Sequence, residues 1–167
     1  MYYENTSITE KIAWAEDIYS KFGDLILRDS EVQRLLNILD RSIDATYTEM
    51  ETAGTLEECT KCAQKTGSCC SRKIDKMYDK RTLLINRLMG VELPKEREIE
   101  DGCFFQGMNG CKIRAREIIC VDYFCPRMYD IIEREKMVRL QNVAGEEHET
   151  LFKLSDRINT LLLKMNL

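Results

Sequence analysis

Histidine is nearly absent from this chain of 167 residues, which has one, at position 148. That scarcity excludes a catalytic zinc held by two or three imidazoles, and any Ser-His-Asp triad that does not use His148. The residue three before it is Gly145, so the paired E-x-x-H motifs of a di-iron bundle are missing as well. With Glu146, Glu147 and Glu149 around it, His148 reads as an exposed residue at the start of a last helix. Nor is there an apolar run of about 18 residues that would suit a membrane span. The opening Met-Tyr-Tyr-Glu-Asn-Thr-Ser lacks the basic and apolar stretches of an export signal, so a cytoplasmic protein is expected. A glycine-rich phosphate loop is also missing, which removes the common kinds of nucleotide binding. Two prolines and eight glycines are too few for many short strands and favour long helices.

Cysteine is what the chain has in excess: eight, all between Cys59 and Cys125. In an exported protein that even count would suggest disulfides, but in a reducing compartment the thiols stay reduced, and grouped reduced thiols point to a metal. The same stretch is the basic part of the chain. Net charge is −8 over residues 1–58, +5 over 59–127 and −1 over 128–167. Cations near thiols favour the thiolate, the metal-binding form. Lys61, Arg72, Arg114 and Arg116 are therefore candidates to line a bound cofactor, with Lys65, Lys73 and Arg127 behind them. Solvation of exposed faces is the plainer account of the same charges. Nucleic acid is a poor fit, because the chain is acidic overall at −4 and Trp14 lies far from the basic stretch.

Ser7-Ile8-Thr9-Glu10 has the form of a capping box and predicts a helix from Ile8 with Ile8, Ile12, Ala15, Tyr19, Phe22 and Ile26 on its apolar stripe. Ser30-Glu31-Val32-Gln33 predicts a second start after a break near residues 28–30, with Val32, Leu36, Leu39, Ile43, Tyr47 and Met50 buried and Gly54 closing the helix. Thr55-Leu56-Glu57-Glu58 repeats the signature, putting Cys59 and Cys62 on or just after a short helical turn. Residues 63–68 read as loop. A helix starting near Asp79 and ending at Gly90, a connector containing Pro94 and a short hairpin ending at Cys111 follow. Pro126 suits the first turn of a helix running to about Gln141, residues 142–145 read as a turn, and Leu151, Leu154, Ile158, Leu161, Leu162 and Met165 mark the last helix.

The expected fold is mainly α: a bundle of about four long helices with a cysteine-rich, loop-dominated metal-binding insert. It forms one domain over 1–167, made of a helical pair (1–54), the insert (55–127) and a second pair (128–167). The insert has few apolar residues of its own, so a metal is expected to organise it. The amphipathic stripes suit core packing, and the last could also serve a protein partner or a homodimer.

The thiols fall into two quartets, Cys59-x2-Cys62-x6-Cys69-Cys70 and Cys103-x7-Cys111-x8-Cys120-x4-Cys125. Four is the ligand number of thiolate zinc sites and of iron-sulfur clusters. Neighbouring side chains such as Cys69 and Cys70 diverge on a helix or strand, which suits two sites or a centre with several metal atoms. The second quartet has no C-x2-C knuckle, and this irregular spacing leans toward an iron-sulfur cluster, with zinc as the alternative. A thioredoxin-type role for Cys59 and Cys62 would need the pair to follow a strand, and here it follows two helices. Cys103, beside Phe104 and Phe105, could instead be a small buried apolar residue.

Cys59, Cys62, Cys69 and Cys70, followed by Cys103, Gly110-Cys111-Lys112-Ile113, Cys120 and Cys125, resemble the YkgJ-like cysteine-cluster proteins. That family is described as zinc- or iron-chelating and is marked by a CxxCxxCC block with a later pattern near C-x-I-Y-x-x-R-P-x-x-C. The resemblance covers residues 59–126. Two differences are a gap of six residues between Cys62 and Cys69 and Arg114-Ala115-Arg116 where the family pattern has a proline. What the resemblance implies is metal chelation, with no settled reaction. The expectation is a protein with one or two thiolate-ligated clusters, 4Fe–4S by ligand number, in electron transfer or cluster-dependent chemistry. Whether it is an enzyme stays open, and a structural-zinc module for protein–protein interaction is the other reading.

Overall fold

Capping and periodicity set the first half of the chain. In the computed structural model, which describes residues 6–66 and 69–167 and residues 62–66 by backbone alone, helix α1 spans Ile8–Leu27. The Ser7 hydroxyl accepts the Glu10 N–H at 3.3 Å and the Glu10 carboxylate accepts the Ser7 N–H at 2.7 Å, the reciprocal box expected from the sequence. Helix α2 spans Ser30–Ala53 and is capped by Asp29 rather than Ser30: the Asp29 carboxylate accepts the Val32 N–H at 3.0 Å. Its buried stripe is Val32, Leu35, Leu39, Ile43, Thr46 and Met50, so the helix is rotated slightly from the expected one and Tyr47 is left exposed. Gly54 closes α2 at φ +82°, a left-handed position that favours glycine.

Helix α3 spans Thr55–Thr66. It is longer than a single turn and extends over 63–66, where loop was expected; Gly67 and Ser68 lie outside the described residues. Thr55 is not a cap but the first residue of the helix, its hydroxyl donating to the Met50 carbonyl at 3.0 Å. After the short α4 (Arg72–Asp75), α5 spans Lys80–Leu88, capped by Asp79 and ended before Gly90 at φ +82°. The expected hairpin is β1 (Gln106–Gly107) paired antiparallel with β2 (Gly110–Cys111). Short helices α6 (Ile118–Val121) and α7 (Pro126–Ile131) lead to α8, Arg134–Lys164.

The second half departs most from expectation. The helix opened by Pro126 stops at Ile131, because Ile132 turns to extended backbone and packs against the cluster around Met128 and Met137. Residues 142–145 are not a turn. They lie inside α8, whose buried positions Met137, Leu140, Ala144, Glu147, Leu151, Leu154, Ile158 and Leu162 keep one stripe through Gly145. A single glycine costs a helix only about 1 kcal/mol, less than an uninterrupted packed face returns.

Helices α2 and α8 pack antiparallel, pinned at one end by Arg157 Nε to Asp29 (3.1 Å) and at the other by Arg139 Nε to Glu49 (2.7 Å). Helix α1 packs on α5, where the Lys80 ammonium lies 4.8 Å above the Trp14 ring. The main core joins Ile18, Ile26, Leu39 and Ile43 to Tyr78, Leu83, Leu84, Ile85, Phe105, Leu154 and Ile158. The expectation that the cysteine-rich insert is poor in apolar anchors is therefore corrected, since α5, Tyr78 and Phe105 stand at its centre. A second cluster, Met50, Ala53, Val121, Phe124, Met128, Met137, Leu140 and Ala144, fills the other end. Among the described residues, no helix is long and apolar enough to cross a membrane.

Candidate functional site

A short antiparallel contact begins the site. Ser71 bridges Gly102, and the Cys103 N–H donates to the Cys70 carbonyl at 2.7 Å, so these two cysteines come together from segments 33 residues apart in sequence. Asp75, buried at the end of α4, fixes this contact. Its carboxylate accepts the Phe104 N–H at 2.6 Å and pairs with Arg97, which also donates to the Gly102 carbonyl. Cys111 arrives on β2 and Cys120 on α6, where the Tyr78 hydroxyl and the Cys120 sulfur are 3.5 Å apart.

Tyr78 is the hub of this arrangement. Burial first, and then the charges that Cys120, Cys111 and Cys103 would carry, push its phenol upward. Burial likewise pushes the Cys103 thiol up to about 12, with the Phe105 N–H opposing and Asp75 and Cys120 adding to the rise. Burial pushes Cys120 up to about 11; the Tyr78 hydroxyl opposes the rise, Cys111 and Cys70 add to it, and Arg116 opposes it. Cys111 belongs to a residue exposed as a whole, yet desolvation of its thiol also raises its pKa, against the pull of the Ile113 N–H and Arg116. The group thus takes Cys70 from one sequence quartet and Cys103, Cys111 and Cys120 from the other. Cys70, like Cys59 on α3 and Cys69, is exposed, Cys125 is half-buried as the residue preceding α7, and the side chain of Cys62 lies outside the described residues. Among the described residues, no three His, Cys, Asp or Glu side chains are grouped so as to hold a single metal ion.

Of the four basic residues expected at a cofactor, Arg116 acts on the Cys111 and Cys120 thiols. Lys61 pairs with Glu57 and Glu58 at 2.7 and 2.8 Å on its own helix. Arg72 donates to the Glu100 carbonyl at 2.7 Å. Arg114 reaches α2, with Nη2 2.8 Å from Asp44 and Nε 2.5 Å from Asp40. Buried Asn86 sets this loop by accepting the Arg114 and Ala115 N–H groups at 2.8 and 3.0 Å and donating to the Ala115 carbonyl at 2.9 Å. Arg116 is thereby led back to the interior, its guanidinium 5.2 Å from the Tyr47 ring centroid.

Beside Arg116 lies a set of buried polar side chains that sequence spacing does not reveal. Glu147 is 1% exposed, and neither carboxylate oxygen has a hydrogen-bond partner. The Thr46 hydroxyl beside it donates to the Ser42 carbonyl at 3.0 Å instead. Burial raises the Glu147 pKa, against Thr46, Arg116 and Arg114. His148 is half-buried inside α8, not an exposed residue at a helix start. Burial lowers its pKa, Asp122 opposes that shift and Arg116 reinforces it. Arg116 Nη2, Asp122 Oδ1 and His148 Nε2 are likewise buried without hydrogen-bond partners.

Asp75, Tyr78 and Glu147 are the residues that sequence reasoning passed over. A buried aspartate and a buried glutamate have the same letter as solvated ones, and only the position of Glu147 on the α8 stripe marks it. Comparison of the chain with protein-family models, with curated proteins and with solved structures gave no match.

Proposed function

We propose that this is a cytoplasmic metal-binding protein whose thiols hold an iron-sulfur cluster, 4Fe–4S by ligand number, for electron transfer or cluster-dependent chemistry beside a protein partner. One observation supports the reading: charges on Cys103, Cys111 and Cys120 would act on Tyr78, and those on Cys70, Cys111 and Arg116 would act on Cys120. Soft thiolate donors in that number suit such a cluster. Cys70, Cys103, Cys111 and Cys120 would hold it, with Cys59, Cys62, Cys69 and Cys125 as candidates for a second centre. Bound there, the cluster supplies one-electron transfer.

The chain's own residues prepare the place. Asp75 with Arg97 holds the Cys70–Cys103 backbone contact in register. Arg116 offsets negative charge gathered on the sulfurs. With Cys103 and Cys120 raised to about 12 and about 11, both thiols are protonated at neutral pH in the metal-free protein. Ligation must then release protons, so affinity for the metal rises with pH.

Purification without oxygen, followed by assays for iron and acid-labile sulfide, tests the reading. A brown protein containing both is expected, and Cys103→Ser or Cys120→Ser should lower both. Colourless protein with stoichiometric zinc overturns the cluster in favour of a structural-zinc module, and protein holding neither metal overturns the whole reading.

A further inference from the structure

A cleft of about 360 Å³ opens between the N-terminal ends of α5 and α6 and the second half of α8. This is within the size range of small-molecule sites, roughly 300–1,000 Å³. Its apolar part is unusually accessible: Phe152 is 72% exposed and Ile118 58%, with Leu151 beneath them. Solvent-facing aromatic and aliphatic side chains on either side of one depression make a shelf for an apolar body.

The polar part of the cleft has one dominant sign. Three carboxylates line it, those of Asp79, Glu117 and Asp156, against one guanidinium, that of Arg81. Arg81 is committed to Asp79 through Nε at 2.9 Å and Nη2 at 3.0 Å, so those two charges cancel locally. Glu117 accepts the Asp79 N–H at 3.0 Å, and the charge of Lys11 reaches it from the α1 side. Asp156 stands at the rim, and among the described residues no basic side chain pairs with it. His148, the remaining wall, is held neutral by burial and adds no positive charge.

We propose that this cleft binds a small organic ammonium compound, a primary amine on an apolar or aromatic body, with the ammonium group at Asp156 and the body against Phe152 and Ile118. Three features select that class. An anion would meet an unopposed carboxylate at the rim, a neutral apolar molecule would leave that carboxylate unused, and the Phe152 ring face attracts a cation as well as an apolar surface. The site shares α6 with Cys120 but makes no use of a metal, so it stands whether or not the cluster does.

The chain contains one histidine, so the imidazole C–H signals in a carbon–proton NMR spectrum come from His148 alone. The full-length protein is titrated separately with 2-phenylethylammonium chloride, 2-phenylethanol and 3-phenylpropionate. Saturable movement of the His148 signals is expected with the ammonium compound, weaker movement with the alcohol and none with the carboxylate. Asp156→Asn should weaken ammonium binding about three- to fivefold, the worth of one exposed ion pair. Phe152→Ala should weaken all binding. Both side chains are exposed, so the variants keep the fold. The proposal is overturned if the ammonium compound produces no saturable movement, if all three probes bind alike, or if Asp156→Asn leaves ammonium binding unchanged.

Discussion

Helices α2 and α8 hold each other by a repeated apolar stripe with an ion pair at either end, whereas the cysteine-bearing loops on either side of α5 are set by polar bonds that each occur once. In the first region a lost contact has neighbours of the same kind on the next turn. In the second, Asp75 is the side chain that takes the Phe104 N–H and pairs with Arg97, and Asn86 ties the loop at 114–115 to α5. The difference teaches where each kind of information is written. Redundant packing tolerates change and is spread over many residues; a site depends on a small number of polar atoms that cannot substitute for one another.

The largest effect is expected where a unique bond is removed. Asp75→Ala takes away the acceptor of the Phe104 N–H and the partner of Arg97 together, and should cost about 3–5 kcal/mol in urea denaturation, as for other broken buried pairs. A loss under 1 kcal/mol would show that the segment has supports besides Asp75. Next come paired truncations, one in each region. Leu84→Ala in α5 and Leu154→Ala in α8 both remove a fully buried side chain, and each should cost about 2–5 kcal/mol in chelator-treated protein. If Leu84→Ala costs little without metal, α5 depends on metal for its seating and the core packing described for the insert is wrong.

The fold was legible in the sequence wherever local rules decide it. The Ser7 box, the break before Ser30, the left-handed glycine at 54 and the hairpin ending at Cys111 all follow from side chains acting within a few residues of themselves. What was not legible depended on partners distant in sequence. Helix α8 passes straight through residues 142–145 because α2 offers Ala144 and Glu147 a surface along their whole stripe, and nothing near Gly145 announces that. The same holds for the site. Spacing marked the cysteines as a group, but the Cys70–Cys103 contact is set by the Ser71–Gly102 bridge, and Arg116 stands out from Arg114 only because Asn86 turns the loop inward.

Smaller effects sharpen the comparison further. If the proposed metal is held beside Arg116, Arg116→Gln should weaken its retention about 10- to 100-fold in a chelator competition, as expected of a group one step removed from the ligands. An unchanged value would assign Arg116 to the buried polar set alone. Glu147 tests that set directly. Its pKa is raised in the folded protein, so its contribution to stability is complete below the ordinary glutamate range and declines as pH rises through the raised value. Glu147→Gln should therefore stabilise the protein on the order of 1 kcal/mol at pH 8 and leave it unchanged at pH 4. Equal melting curves at both pH values for the variant and the parent would reject a strained carboxylate. The smallest effect is expected at Lys61, whose exposed pairs stay on its own helix: Lys61→Ala should leave both the melting temperature and the metal content where they were.

Lys80 over Trp14 gives the molecule an intrinsic optical gauge. The chain has a single indole, and it lies where α1 meets the start of α5, two residues along the chain from Tyr78. Emission from that one ring registers whether α5 is seated on α1 in the metal-free protein, while absorbance of the sulfurs' metal reports occupancy. Docking of the thiol-bearing stretch and occupancy of its sulfurs can therefore be followed as two separate signals in one cuvette.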